Sequence, residues 1–78
     1  MEKTEKTAWI DEENKIVSFH AVYHFKGFPQ FLFMVYQEVF CRWLSRTGNQ
    51  LDERPILDIY RYVGEDGYME IDICFPIR

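Results

Sequence analysis

Apolar and polar positions change period along the chain, and the changes mark out the elements. Residues 1–6 are polar and are expected to fray. "TAWI" then reads as a short strand and "DEENK" as a polar turn. "IVSFHAVYHF", residues 16–25, is dense in β-branched and aromatic residues and predicts a long strand. "KGFP" interrupts it, with Pro29 placed for a helix start. Over 29–46 the period becomes helical: Leu32, Val35, Tyr36, Val39, Phe40 and Trp43 fall three and four apart on one face. Gly48 supplies the stop. Phe31, Phe33 and Met34 put apolar bulk on the other sides of that helix, more than one sheet can cover. After the loop "NQLDERP", alternation returns at about 55–63 and 68–77, joined by the turn "GEDG". The order ββαββ predicts an α+β domain: a four-stranded antiparallel sheet with one helix.

The last two strands have readable faces. If Glu65 and Asp66 form the turn, Tyr62 faces Met69, Tyr60 faces Ile71 and Asp58 faces Ile73. Cross-strand partners share a face. Asp58 therefore stands in line with Tyr60 and Tyr62 on the apolar side. The opposite side holds Arg61 against Glu70 and Ile59 against Asp72. A carboxylate among aromatic rings is a receptor for a lipophilic cation, with each cation–π contact contributing roughly 0.5–2 kcal/mol. The alternative reading of Asp58 is a solvated strand-edge residue, and on residue pattern alone it has the better odds.

Length and charge narrow the classes. With 78 residues the chain is one small domain, for which self-association is a common source of stability. Aromatics make up 18%, more than so small an interior accommodates, so some rings are expected at an interface or pocket. The net charge of -4 argues against direct nucleic-acid binding. No apolar run has the length of a membrane span, and the start MEKTEKT has no signal-peptide core. Two cysteines, Cys41 and Cys74, do not make a disulfide framework; reduced thiols and a cytoplasmic location are expected. His20 and His24 lie on a strand, where four residues span roughly 13 Å, too far to share a metal ion. Neither a metal nor a cofactor is expected. No local signature makes Cys41 a nucleophile.

The residues "VYHFKGFPQFLFMVYQEVFCRWLSRTG", with Asp58-Ile59-Tyr60 and the closing Asp72-Ile73-Cys74-Phe75-Pro76-Ile77, resemble the GyrI-like family, the AraC-type effector-binding domain. The matching positions within the first stretch are His24, Gly27, Tyr36, Trp43 and Gly48, and the likeness spans roughly residues 16–78. Two departures stand out. The family's acid at the Asp58 position is usually Glu. The family domain is also a tandem of two strand-helix-strand-strand modules in one sheet of about eight strands, where this chain has the length of one. The resemblance implies a hydrophobic, cationic small molecule held in a cleft between modules. It implies Asp58 and Tyr60 as the ligand-facing acid and tyrosine, and a homodimer to complete the cleft; Tyr62, in line with them, Phe33, from its place on the helix, and the family positions Tyr36 and Trp43 complete the expected ligand-binding set, although Trp43 at the helix end reads by itself as core. A drug-sensing or sequestering role follows, with any transcriptional role needing another chain. The alternatives are a protein-interaction module like the gyrase-inhibiting members of the family, and, further off, hydrolysis of small electrophiles; an enzyme is the less favoured reading.

Overall fold

The computed structural model describes residues 4–78 and has the expected ββαββ order. Four strands form one antiparallel sheet in the order β1-β2-β4-β3: β1 (Thr4–Ile10), β2 (Ile16–Gly27), β3 (Leu57–Val63) and β4 (Met69–Ile77). One continuous helix, α1, runs over residues 29–47 between β2 and β3. The start of β1 differs from expectation. Thr4, Glu5 and Lys6 pair with Tyr23, Val22 and Ala21 instead of fraying, because β2 is long enough to template them. The rest of the expected frayed segment, residues 1–3, lies outside the described residues. Asp11 holds the β1–β2 turn: its carboxylate accepts from the amides of Glu13 and Lys15, and Asn14 takes the left-handed conformation at φ 63°.

The helix is not uniform. Its first turn, Pro29–Phe31, is a tight 3₁₀ turn, and Glu38–Trp43 is a wide π turn. The sequence accounts for the widening. Val35, Val39 and Trp43 recur every fourth residue, a longer repeat than the 3.6 of an α-helix. A wider turn keeps all three on the sheet, and all three are buried. Gly48 ends the helix in the left-handed conformation, φ 72°.

The core lies between α1 and the two central strands. Ala21 and Phe25 of β2, the helical trio, and Ile71, Ile73, Phe75 and Ile77 of β4 form it. Neither edge strand contributes a buried member to this cluster. Every residue of β3 is exposed, so the helix-side face of the sheet is uncovered along that edge.

Two irregularities shape the β3–β4 hairpin. Gly67, at φ 94°, donates to Gly64 O, and the Gly64 amide reaches past it to Tyr68 O at 2.8 Å. This shifts the register by one. Arg61 forms a bulge between Tyr60 and Tyr62 and shifts it back. Tyr60↔Ile71 and Asp58↔Ile73 therefore pair as expected. Between the two irregularities Tyr62 pairs with Glu70, not Met69. The expected single stripe of Asp58, Tyr60 and Tyr62 is thus broken: the bulge turns Tyr62 to the other face, where it lines a recess with Lys26, Arg61, Glu70 and Asp72.

Candidate functional site

Asp58 and Tyr60 sit on the helix side of the edge strand β3. Both are exposed, Tyr60 to 61%. On the helix, Tyr36 and Phe40 rest edge-on against Phe75 of β4, with ring centroids 5.6 and 5.4 Å away. Phe75 lies two residues from Ile73, the cross-strand neighbour of Asp58. Tyr36 and the Asp58–Tyr60 strip thus lie on the same side of the sheet, each against odd-numbered residues of β4. The other expected members are elsewhere. Trp43 is in the core at 3% exposure, fixed there by the every-fourth spacing of the helix. Phe33 is 59% exposed on the helix. Tyr62 is on the opposite sheet face. Asp58 and Tyr60 share the helix-side face of β3, and Tyr36 rests on Phe75 of β4 on that same side of the sheet.

The opposite face of the sheet carries a polar arrangement that periodicity did not reveal. One residue from each strand forms a ladder across it. Arg61 of β3 donates to Asp72 Oδ2 from Nε at 2.8 Å and from Nη2 at 2.7 Å. His24 of β2 lies with Nδ1 2.7 Å from Asp72 Oδ1. Its Nε2 is 3.7 Å from Glu5 Oε2 of β1. Asp72 is 7% exposed. Burial pushes its carboxyl up, but the hydrogen bonds from His24 and Arg61 outweigh burial and hold it below the usual carboxylate value. The expected β3–β4 hairpin already put Arg61 and Asp72 on one face, without His24. The missing information was that β2 lies against β4, which sets His24 opposite Asp72.

Beside the ladder Trp9 stacks on His20, centroids 3.8 Å apart and planes 18° from parallel. His20 is buried with Nδ1 unpartnered, and burial followed by the charge of Arg54 lowers its pKa, keeping it neutral. Cys74 is buried on this face. Burial, then the charges of Asp72 and Asp58, pushes its thiol up, so it is not an activated nucleophile. Among the described residues no group of three or more His, Cys, Asp or Glu is placed to hold a metal ion, and no helix is long and apolar enough to cross a membrane.

No protein-family model matches the chain, and no curated protein or solved structure matches it.

Proposed function

We propose that the chain is a binding module for hydrophobic, cationic small molecules, with a drug-sensing or sequestering role, whose site is completed by a second copy of itself. The observation that carries this is the Asp58–Tyr60 strip: a carboxylate and an aromatic ring, exposed on the uncovered helix side of an edge strand. Among the described residues no ion pair is made by Asp58. A lipophilic cation supplies both the missing charge and the apolar surface for the rings. A half-site open to water binds weakly, because the exposed charge is screened.

The β3 edge supports pairing with a second copy. Leu57, Ile59, Tyr60, Tyr62 and Val63 are all exposed along it. A long apolar edge with free backbone groups is an association surface. Antiparallel pairing of β3 with its counterpart about a two-fold axis would join two four-stranded sheets and leave both helices on one side. The two Asp58–Tyr60 strips would then meet between the helices. In this reading the protein is cytoplasmic, which suits its two free cysteines, and it does not contact nucleic acid directly.

A second reading, a protein-interaction module, draws on a different observation. Phe31, Phe33 and Met34 are exposed on α1. A titration with tetraphenylphosphonium separates the two. Saturable binding that depends on Asp58 supports the small-molecule module. No binding by a dimeric, folded protein defeats it and leaves the protein-interaction reading.

A further inference from the structure

A two-fold dimer repeats every contribution to a shared site, so a cleft completed by a second copy holds Asp58 twice. How the two carboxylates stand depends on where the axis crosses β3. Antiparallel pairing with both helices on one side makes opposed residues share a face, so the axis passes through a single residue. Asp58 and Tyr60 are on the helix side, opposite Ile73 and Ile71 of β4; Leu57 and Ile59 are on the other. An axis at Asp58 sets the two carboxylates directly opposite, a destabilising like-charge pair. An axis at Leu57 pairs β3 with the residues before it, which are not strand. An axis at Tyr60 or later puts the Arg61 bulge into the middle of the seam. An axis at Ile59 has none of these faults and keeps the bulge at the end of the seam. It sets Asp58 opposite the partner's Tyr60 and lays Ile59, 42% exposed in the single chain, against its own counterpart.

With that axis the helix-side surface alternates acid and ring. Each Asp58 lies opposite the partner's Tyr60, and the two Asp58 side chains are diagonal neighbours, roughly 7–8 Å apart. Asp58 and Tyr60 are exposed in the single chain, so each copy brings both uncovered. Two carboxylates at that spacing repel each other, more strongly as the cleft excludes water. One positive charge neutralises one of them and leaves the other unmatched. Two positive charges on one flat frame match both, each between a carboxylate and a ring, and the frame covers the seam. We propose, resting on the paired-β3 reading above, that the completed cleft takes an aromatic dication, one per two chains, with its cationic centres roughly 7–8 Å apart. The same ligand removes the repulsion between the copies, so it drives their association.

Methyl viologen, a flat bipyridine with a positive nitrogen at each end, is the probe. Its control is 1-methyl-4-phenylpyridinium, which has the same outline and one charge. Calorimetric titration into the full chain should give one methyl viologen per two chains, bound at least tenfold more tightly than the control. Light scattering of the same samples should move toward twice the 9.5 kDa of one chain as methyl viologen is added. Asp58→Asn should abolish the preference between the two cations. The axis is read separately by cross-linking, in a Cys41→Ser background because Cys41 is exposed. Ile59→Cys meets its own counterpart and should form a disulfide-linked dimer on mild oxidation. Val63→Cys, exposed at the far end of β3, should not. Equal, Asp58-dependent affinity for the two pyridinium cations, one per chain, overturns the dication site and leaves the cation-binding reading standing. So does cross-linking of Val63→Cys as readily as Ile59→Cys, or of neither. If neither pyridinium cation nor tetraphenylphosphonium binds in a way that depends on Asp58, the cation-binding reading fails and the dication site falls with it.

Discussion

The neighbouring strands β3 and β4 are built from similar residues and have opposite fates. "LDIYRYV" and "MEIDICFPI" each alternate apolar side chains with charged ones. All of β3 is exposed, while β4 is buried from Ile71 to Ile77. The cause is position. β4 lies between β2 and β3 with the helix over it, and β3 has a strand on one side only. The carboxylates sharpen the contrast. Asp72 on β4 is buried and bonded to His24 and Arg61; Asp58 on β3 is exposed and makes no ion pair among the described residues. The same alternating pattern produces core where the sheet is covered and an unfinished surface where it is not. An apolar edge strand kept in that state is a place for something else to bind.

Truncating each strand tests this contrast most strongly. Phe75→Ala should cost about 3–5 kcal/mol, the range for a fully buried aromatic. That is a large part of the ~5–15 kcal/mol total of a small domain. Tyr60→Ala, at dilution where chains are apart, should stay within about 0.5 kcal/mol of the parent. Urea unfolding of both variants is the check. A large loss from Tyr60→Ala would mean that β3 is core and not interface.

The two carboxylates give the next test. Asp72→Asn should destabilise by about 1–3 kcal/mol, because it removes the charge that the His24 and Arg61 hydrogen bonds are made to. The pH dependence follows from direction. The carboxyl of Asp72 is held below its reference value of 3.8, so its stabilisation is present above that value. It is lost as pH falls through the lower, folded value. Asp72→Asn should therefore flatten the acid limb of the stability profile, and Asp58→Asn should leave that limb in place. Melting temperatures recorded between neutral and strongly acidic pH distinguish the two.

A smaller effect is expected at Phe33. It is exposed on α1, so Phe33→Glu should keep the circular dichroism of the parent while weakening any association that uses this flank of the helix. An unfolded variant would show Phe33 to be core. Unchanged sizing by light scattering would remove the helix flank from the interface and leave β3 as the contact.

Local rules made the fold legible and left the site half legible. Period changes placed every element, and Gly48 marked the helix end, because those signals are encoded in a few consecutive residues. The pairing of Asp58 and Tyr60 was readable through two compensating shifts, at Gly67 and Arg61, neither of which alternation reveals. Tyr62 was misplaced for the same reason: a bulge inverts the parity that face reading assumes. Trp43 was assigned to the ligand surface by resemblance, while its spacing from Val35 and Val39 already placed it in the core. The His24–Asp72 contact joins residues 48 apart and required the strand order, which no local pattern carries.

Asp58 decides the account. Asp58→Asn keeps the shape of the side chain and removes its charge, so stability should hold while affinity for a lipophilic cation falls at least tenfold, about 1.4 kcal/mol. A neutral aromatic ligand of similar shape should bind both proteins alike, because its contacts are to the rings. Calorimetric titration of tetraphenylphosphonium and of the neutral ligand tetraphenylmethanol against parent and variant measures this directly. The account predicts a selective loss for the cation. Equal affinity of parent and variant for the cation would show that Asp58 is a solvated strand residue and would contradict it.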